Sequence, residues 1–519
     1  MSPDTANDRV RAAYSAQKNI EAGVVDQVMS ATPDGRVPTG IAGLDEVLGG
    51  GLIANRSYMV GGDPGTGKTI LGLHFLTGGD GEALYVNLEE PSAEIAHNAA
   101  AVGIDTDDVT FLDLSPGAEL FTEEQEYDLF LPDEVEGPSL RSAIVDAVEQ
   151  VDPVRMFIDP LSELQHLSPD TYQLRQQVSS LLRFLRDQGV TLVFTSQATA
   201  AVPDEDLQYL SDGTFELTNT DAGRRLRVSK FRGSSTRNGS HTVRITDDGM
   251  RVYPVLVPDG HAIDFTAETV SAGIPEVNQL LGGGLGRGSV TIFNGPSGVG
   301  KTTLGAQFMK EAAGRGERSV IYMFEEDTRT FTTRCTAVDI PVGRMVDRGT
   351  LAIEEVQPLT QSPAEFAAMV REEVEERDAR VVLIDGIDGY QLSLQSDAED
   401  TLARELGALC RYLRSRGVTT LLVDSSETVT GEFRATRGGV SYIADNIVFL
   451  RYLEIGGELR KAIGVLKNRT SDFERTLREF QITEYGIKVG DPLRSLRGIL
   501  EGTPEYVEDD GPPDRMGSR

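Results

Sequence analysis

The chain has 519 residues, of which 82 are acidic and 49 basic, so its formal net charge is −33. Hydrophobic residues make up 39% of it, which supplies folded cores and excludes an acidic disordered protein. No run of about 18 apolar residues occurs, and residues 1–14 lack the apolar core of a secretory signal. We therefore expect neither a membrane span nor a secretory leader, and predict a cytoplasmic protein.

The basic residues are strongly skewed, with 8 lysines against 41 arginines. An acidic surplus with scarce lysine is typical of a high-salt cytoplasm, in which carboxylates keep proteins soluble while salt screens charge. The same net charge argues against nonspecific binding to duplex DNA. Only two cysteines occur, Cys335 and Cys410. They exclude a disulfide framework and a cysteine-based zinc site, and are interpreted as buried thiols in a reducing cytosol.

The predicted elements of the first half begin after a polar segment, residues 1–35. SYMVGG predicts a strand that leads into a glycine-rich loop, and a helix follows Thr69. The runs LYVNL, VRMFI and TLVFTS are continuously apolar, which is typical of strands buried on both faces of a parallel sheet. RRLRVSKFRG and HTVRITDDGMRVY predict antiparallel strands around a turn. An acidic insertion, residues 116–138, is interpreted as a solvated surface loop.

The same order of motifs recurs in the second half. The segment GI…LGGGL at 40–52 reappears at 273–285, and the loop that starts at Gly62 reappears at Gly295, both at an offset of 233 residues. This period is too long for a solenoid and indicates two tandem copies of one domain. We place a first half at 36–257, a second half at 258–500 and an acidic tail at 501–519. Each half is predicted to be an α/β domain, a mostly parallel sheet flanked by helices with a terminal antiparallel hairpin.

Each half contains one GxxxxGK[ST] loop, GDPGTGKT at 62–69 and GPSGVGKT at 295–302. Such a loop surrounds a triphosphate with backbone N–H groups, while its lysine reaches the β and γ phosphates and its threonine hydroxyl binds Mg²⁺. Two matches at equivalent positions, each between a predicted strand and a predicted helix, exclude coincidence. The nucleotide-contacting residues predicted here are Gly65, Thr66, Gly67, Lys68, Thr69, Ile70, Gly298, Val299, Gly300, Lys301, Thr302 and Thr303.

Carboxylates follow the buried strands of both halves. Asp159 and Asp385 end strands at the edge of the sheet where the Mg²⁺ shell is expected. The adjacent pairs Glu89-Glu90 and Glu325-Glu326 follow the strand after the loop helix, and such carboxylates at a γ-phosphate can act as a general base. We predict both pairs as catalytic. The predicted metal-site residues are Thr69, Asp159, Thr302, Glu325 and Asp385.

A Lys-x-Arg motif stands late in each half, at 230–232 and 467–469. On a predicted strand the two cations alternate and therefore face one side. They could reach the phosphates of a neighbouring subunit, or simply line a solvated strand edge. Gln197, which follows TLVFTS, could sense the γ-phosphate at a strand end.

The motifs resemble those of KaiC-type proteins within the RecA-like ATPases, over residues 36–500. The blocks that carry the resemblance are TGIAGLDEVLGGGL, GGDPGTGKT, NLEEP, FIDPLSEL, KFRGSSTRNG, GPSGVGKTT, FEED, LIDG, YLEIGGELRKAIGVLKNR and REFQITEYGIKV. The resemblance implies two tandem RecA-like domains in a two-tiered homohexamer, with ATP and Mg²⁺ at the subunit interfaces.

The resemblance also implies roles for individual residues. In the first half Glu89 or Glu90 would activate water, and in the second half Glu325 would be the base of a serine/threonine autokinase. The family's acceptor pair falls at Ser441-Tyr442, where tyrosine replaces the family threonine, and Thr436 matches a further family threonine. Residues implied to contact a neighbour's nucleotide are Lys230, Phe231, Arg232, Ser234, Thr236, Lys461, Lys467, Asn468 and Arg469.

Three functions remain open at this point. The first is a ring-forming ATPase and autokinase that serves as a signalling or timing regulator. The second is a DNA motor or recombinase, for which the acidic loop after Gln197 is unsuited, although the loop that carries Arg434 and Arg437 is permissive. The third is an ATP-gated scaffold for protein partners. Fold analogy alone does not separate them.

Overall fold

In the computed structural model the chain forms two compact units, 1–255 and 256–519. The described residues are 35–115, 140–163, 171–196, 204–220, 223–256, 268–357, 361–393, 399–425, 440–455, 457–497, 499 and 505–506. The predictions on residues 1–34, the acidic insertion 116–138, Gln197, Thr436, Arg434, Arg437 and most of the tail lie outside these ranges.

The first unit alternates strands and helices and ends in strands alone. Its elements are β1 (Arg36–Val37), α1 (Ala42–Leu48), β2 (Leu52–Ile53), β3 (Ser57–Gly61), α2 (Lys68–Thr77), β4 (Ala83–Asn87), α3 (Ser92–Ala101), β5 (Val109–Asp113), α4 (Leu140–Val151), β6 (Arg155–Asp159), α5 (Thr171–Asp187), β7 (Thr191–Thr195), α6 (Glu205–Leu210), β8 (Gly213–Thr220), β9 (Gly223–Phe231), β10 (Ser240–Thr246) and β11 (Gly249–Tyr253).

The strands of the first unit form a nine-stranded sheet in the order β11-β10-β9-β8-β3-β7-β6-β4-β5. The six strands from β8 to β5 in this order are parallel, and β9, β10 and β11 add on antiparallel. The runs LYVNL, VRMFI and TLVFT form β4, β6 and β7 and are buried almost throughout. Continuous apolar runs therefore predicted the two-sided burial correctly.

The second unit repeats this plan. Its elements are β12 (Thr269–Val270), α7 (Pro275–Leu280), β13 (Leu285–Gly286), β14 (Val290–Gly295), α8 (Lys301–Gly314), β15 (Arg318–Met323), α9 (Thr328–Thr336), α10 (Val342–Asp347), β16 (Leu351–Glu355), α11 (Pro363–Glu375), β17 (Ala379–Asp385), α12 (Ile387–Ser393), α13 (Glu399–Ser415), β18 (Thr419–Ser425), β19 (Asn446–Ile455), β20 (Glu458–Asn468), β21 (Arg478–Thr483), β22 (Gly486–Pro492), β23 (Leu496–Arg497) and β24 (Glu505–Tyr506).

The second nine-stranded sheet has the order β16-β15-β17-β18-β14-β19-β20-β21-β22, which is the first order read from the opposite edge. The strands from β16 to β19 are again parallel, and β20, β21 and β22 are antiparallel. The fold is thus two tandem RecA-like α/β domains, as predicted. Parallel strands end at one edge of a sheet, so the residues after β3, β4 and β6, and after their counterparts, share that edge.

The helix after each glycine-rich loop packs directly on the sheet through a glycine. A Cβ atom at Gly72 would lie 2.1 Å from the ring of Phe157, and one at Gly305 would lie 3.1 Å from Leu383. Close packing needs a small residue here, because the helix backbone rests against a side chain from β6 or β17. This contact fixes the start of the helix above the carboxyl end of that strand.

In the part of the chain that the structure describes, no helix has the length and apolarity needed to cross a membrane. Cys335 and Cys410 are both buried, with free thiols, as the sequence predicted. Burial raises the pKa of each thiol to about 12.

Candidate functional site

The two glycine-rich loops have the same backbone form. Gly67 (φ 105°) and Gly300 (φ 118°) occupy left-handed positions immediately before α2 and α8. A Cβ atom would meet Ile245 Cδ1 at 2.7 Å in the first loop and Ile482 Cδ1 at 2.5 Å in the second. Only glycine fits both the dihedral angle and the space. Each loop therefore delivers the chain into the N-terminus of a helix, where unpaired N–H groups and the helix dipole attract phosphate.

The loop lysines lie inside their loops. Lys68 Nζ donates to the carbonyls of Gly62 (2.6 Å) and Asp63 (3.1 Å), and Lys301 makes the two equivalent bonds. Burial lowers the pKa of both lysines, and nearby carboxylates, Asp159 foremost for Lys68, oppose that shift. A bound polyanion would therefore offset the cost of burying these two ammonium groups.

A threonine–aspartate pair closes each site on the sheet side. Thr69 Oγ1 donates to Asp159 Oδ2 at 2.7 Å, and Thr302 Oγ1 donates to Asp385 Oδ1 at 2.9 Å. Hydroxyl and carboxylate oxygens are the ligand types that Mg²⁺ prefers. The residues present thus fit a Mg²⁺ ion bound with a nucleotide, at the positions that the sequence predicted.

The surroundings of the two aspartates differ. Asp159 also accepts hydrogen bonds from Tyr85 Oη (3.1 Å) and from Thr195. The corresponding strand positions around Asp385 are Ile321 and Val423, which have no hydroxyl. Burial raises the pKa of Asp385 to about 6, against its bond from Thr302. Tyr85 and Thr195 were not predicted, because their roles depend on strand register.

The first glutamate of each pair lies close enough to its loop lysine to affect the lysine electrostatically. Glu89 raises the pKa of Lys68, and Glu325 raises that of Lys301. A Cβ atom on Gly386 would lie 3.1 Å from Glu325 Oε1, so this carboxylate stands beside the residue that follows Asp385. Glu89 and Glu325 thus lie near the loop lysines, and Glu325 also lies near the predicted metal carboxylate.

The second glutamate of each pair has different neighbours in the two halves. Glu326 forms a two-point ion pair with Arg334, whose NH2 lies 2.6 Å from Oε2 and whose Nε lies 3.2 Å from Oε1. Arg334 also donates to Thr303 at 2.9 Å, directly after the loop threonine. Arg334 was not predicted, because it lies on α9, outside the motif that contains Glu326.

The first site opens into a cavity of about 400 Å³. It is lined by Pro64, Gly65, Gly67, Lys68, Thr69, Ile70, Leu73, Tyr85, Glu89, Glu90, Ile95, Asn98, Ala99, Asp159, Arg224 and Ile245. Thr66, also predicted in this loop, is buried and donates to the Asp63 carbonyl at 2.8 Å. Val299, its counterpart in the second loop, is fully buried in the core.

A further cation sits on the outer side of each loop. Arg224 NH2 donates to Gly65 O at 3.4 Å, and Lys461 Nζ donates to Gly298 O at 3.1 Å. The Lys461 ammonium also lies 5.6 Å from the centre of the Tyr452 ring. The resemblance implied that Lys461 acts across an interface, and within its own unit Lys461 lies against its own loop. Arg224, its counterpart one repeat earlier, was not predicted.

The lysines of the two Lys-x-Arg motifs are bonded within their own unit. Lys230 Nζ donates to the carbonyls of Gln208, Tyr209 and Ser211. Lys467 Nζ donates to those of Ser441 (2.9 Å) and Ala444 (2.6 Å). In each half the lysine therefore links its own strand, β9 or β20, to the segment that precedes β8 or β19.

The predicted strands contain both lysines and end just before the arginines. β9 ends at Phe231 and β20 ends at Asn468, so Arg232 and Arg469 are the first residues beyond them. The register shifts just before Lys230, between the pairs of Thr214 and Phe215, and a matching shift precedes Lys467. Both arginines are exposed. Arg232 NH2 lies 3.5 Å from the Tyr209 carbonyl that Lys230 also binds, so the two cations of the first motif lie on the same side.

The other predicted interface residues lie nearby. Phe231 stacks on Tyr58 with ring centres 5.6 Å apart, and Ser234 accepts from Arg36 at 2.7 Å. Thr236 is partly exposed. Asn468 donates to the Leu281 carbonyl at 3.0 Å and so holds a turn of its own unit.

The predicted phosphoacceptor lies beside the second site's Lys-x-Arg lysine. Ser441 is partly exposed in a 3-10 turn, Val440–Tyr442, and the neighbouring Tyr442 is 56% exposed. Lys467 binds the Ser441 carbonyl, which joins this turn to the end of β20.

The sequence model of KaiC ATPases matches residues 37–257 and 270–494, which are both halves of the chain. The chain belongs to the KaiC ATPase family. The circadian clock oscillator protein KaiC of Prochlorococcus marinus subsp. pastoris is 27% identical over 499 residues, covering 92% of this chain and 94% of the relative. Those of Acaryochloris marina and Thermostichus vulcanus are 26% identical, covering 91% and 92% of this chain and 92% and 93% of their own.

Membership of the KaiC ATPase family confirms the resemblance read from the motifs and implies ATP as the nucleotide. The geometry fits that ligand, since each loop offers a helix N-terminus and one lysine. Each site also has a threonine–aspartate pair beside a glutamate. The two sites share their backbone but differ in the residues around the aspartate and the second glutamate.

Proposed function

We propose that this KaiC-family chain is a Mg²⁺-dependent ATPase that assembles into a two-tiered homohexamer and serves as a signalling or timing regulator. The observation that carries the proposal is the duplicated threonine–aspartate pair, Thr69 with Asp159 and Thr302 with Asp385, below a loop lysine in each half. Both sites thereby have the donor groups that ATP and Mg²⁺ need.

In the first half the proposed reaction is hydrolysis. Lys68 and the start of α2 hold the phosphates, and Thr69 with Asp159 holds Mg²⁺, which neutralises charge on the transferring phosphoryl group. Glu89, which lines the same cavity as Lys68, accepts a proton from the attacking water as the bond to the γ-phosphorus forms and ADP leaves. Glu90 lines the same cavity and is the alternative base.

In the second half the proposed reactions are hydrolysis and autophosphorylation. The acceptor is the hydroxyl of Ser441 on a neighbouring subunit. Glu325 accepts its proton, the γ-phosphoryl group passes to Ser441 Oγ, and ADP leaves. The location of Glu325 beside Asp385 supports this assignment, and so does the partial exposure of Ser441. Arg232 and Arg469, exposed at the strand ends, are the proposed contacts to the neighbour's phosphates.

Intact-mass measurement after incubation with Mg-ATP tests the proposal. The wild type should gain phosphate that maps to Ser441, and both Ser441→Ala and Glu325→Gln should abolish the gain. Ser441→Ala should continue to hydrolyse ATP, since the serine belongs to the acceptor and not to the nucleotide site. A wild type that hydrolyses ATP but gains no phosphate would refute the autokinase and leave the ATPase standing.

A second measurement separates the regulator from a DNA motor. ATP hydrolysis at working salt should not change when single-stranded DNA is added, because a net charge of −33 disfavours polyanion binding. Strong stimulation by the DNA would favour the motor instead.

A further inference from the structure

Arg334 occupies a central place in the second site. It contacts the second glutamate through two hydrogen bonds and Thr303 through a third, and its guanidinium lies 5.8 Å from the centre of the Phe331 ring. Three groups therefore fix one planar side chain, an arrangement that a flexible lysine does not reproduce. Arg334 comes from α9, whereas Thr303 belongs to α8, so the side chain connects the loop helix with the strand end that carries Glu326.

The ion pair also lies close to the metal carboxylate. Arg334 lowers the pKa of Asp385, and Glu325 and Glu326 raise it. The carboxylates of Asp385, Glu325 and Glu326 thus share one electrostatic environment, and Arg334 is the cation that faces them from α9. The triphosphate that this site is proposed to bind carries several negative charges of its own.

The first half has no equivalent of this arginine. Asn98 stands at the position of Arg334 and Ile70 at that of Thr303, and both line the first cavity together with Glu90. The comparison shows that the fold does not require an arginine here, since the first unit forms the same sheet without it. An arginine at this position therefore occurs in the second site and not in the first.

We propose that Arg334 is a positioning residue that withholds Glu326 from the second nucleotide, so that Glu325 is the only glutamate of the pair that acts as a base. This inference rests on the proposed ATP site of the second half. The paired Glu326 adds no net repulsion towards the phosphates, whereas the same carboxylate without Arg334 would be a further anion beside them. The ion pair therefore favours nucleotide binding without touching the reacting atoms.

Arg334→Gln tests the inference in a chain whose first half is prevented from binding nucleotide by Lys68→Ala. The readouts are KM and kcat for Mg-ATP, together with the Kd of a non-hydrolysable ATP analogue, which does not depend on turnover. We expect KM and Kd to rise about tenfold, the size of a typical coupling within one ion-pair network, while kcat changes less than about threefold. Arg329→Gln, an exposed arginine on the same helix, is the matched control and should leave all three unchanged.

Two further variants distinguish positioning from other roles. Adding Glu326→Gln to Arg334→Gln removes the uncompensated carboxylate and should return KM and Kd to within about threefold of the parent chain. Arg334→Lys keeps the charge but loses the two-point geometry, and should give intermediate values.

Several outcomes would overturn the inference. A drop in kcat that Glu326→Gln does not restore would mean that Arg334 itself contacts the transferring phosphoryl group. Lower thermal stability with unchanged KM and Kd would mean that it only supports the fold. Failure of the proposed function looks different, because the parent chain would then bind no ATP analogue at its second site.

Discussion

The two nucleotide sites have one backbone but different side chains around it. In the first, Asp159 accepts hydrogen bonds from Thr69, Tyr85 and Thr195. In the second, Asp385 is bonded to Thr302 in a more apolar strand environment, and burial raises its pKa. The two halves of the repeat thus share the backbone that would hold a nucleotide. They differ in the side chains that determine how easily the aspartate of each site is ionised.

The second glutamate shows the same divergence. Glu326 is bound by Arg334, whereas Glu90 lines a cavity with Ile70 and Asn98. Similar loops can therefore support different reactions, since the neighbours of a carboxylate decide whether it acts as a base, a ligand or a paired charge.

The largest expected effect comes from removing a loop lysine. Lys68→Ala or Lys301→Ala should each roughly halve the ATP bound per chain, because each loop binds its own nucleotide. Equilibrium dialysis with Mg-ATP measures the stoichiometry. The double variant should neither bind ATP nor assemble, because ATP is proposed to join subunits. A stable hexamer without nucleotide, unaffected by both substitutions, would contradict this.

Replacing the two aspartates should shift local stability in opposite directions. Asp159→Asn loses charge-assisted bonds from three hydroxyls, which should destabilise β6 by about 1–3 kcal/mol. Asp385→Asn removes a buried charge whose pKa is raised to about 6, which should stabilise β17 by about 1–2 kcal/mol at pH 7.5 without Mg-ATP.

Hydrogen exchange of the β6 and β17 peptides in the full chain measures both effects separately. The matched substitutions serve as controls for each other, since the change is Asp→Asn in both. Protection that falls equally at both strands would show that the two carboxylates have the same energetic environment.

A smaller effect is expected from the lysines of the Lys-x-Arg motifs. Lys230→Met should remove the ammonium that donates to the carbonyls of Gln208, Tyr209 and Ser211 and speed exchange in α6 about tenfold. Lys467→Met should do the same in the Val440–Tyr442 turn.

The arginine of each motif supplies the contrast. Arg232→Met removes only one long bond to α6, from NH2 to the Tyr209 carbonyl at 3.5 Å, so it should speed exchange in α6 less than Lys230→Met does. It should also weaken ATP-dependent assembly, measured by light scattering. If Arg232→Met loosens α6 as much as Lys230→Met does, the proposed division between a local lysine and an intersubunit arginine is wrong.

The smallest effect concerns pH. His74 Nε2 accepts a hydrogen bond from the Met250 backbone N–H at 2.8 Å, and burial lowers the His74 pKa from its usual 6.5. The neutral form is favoured in the folded state, so its stabilisation is complete above pH 6.5 and is lost as pH falls below that value. The described part of the second unit contains no histidine.

Hydrogen exchange of β11 between pH 7.5 and 5.5, corrected for intrinsic rates, checks this prediction. Protection should fall at the lower pH by no more than about tenfold, and His74→Gln should remove that dependence. His97→Gln, at an exposed position on α3, is the matched control. A dependence that survives His74→Gln would assign it to other groups.

Much of the fold could be predicted because its signals are local. Continuous apolar runs identified β4, β6 and β7, and the duplicated glycine-rich loops fixed the start of α2 and α8. The carbonyls that Lys230 binds could not be predicted, because they belong to α6 and the turn after it, a separate element.

The site was predicted where a motif carries the chemistry and missed where tertiary contacts do. The loop residues, Asp159 and Asp385 lie where their motifs indicated. Tyr85, Thr195 and Arg334 were missed, because each reaches the site from a separate element and none belongs to a short motif. Such partners can be identified only when the arrangement of the strands and helices around the site is known.

The contact of each glycine-rich loop with the terminal hairpin has a consequence for biosynthesis. Gly67 packs against Ile245 of β10, and Gly300 against Ile482 of β21, the last strands but one of their nine-stranded sheets. When the loop and its helix have left the ribosome, the strand that packs against the loop, β10 or β21, has therefore not yet been synthesised. Each half should be able to bind its nucleotide only after its final hairpin emerges, so the first half's own part of its site is formed while the second half is still being translated.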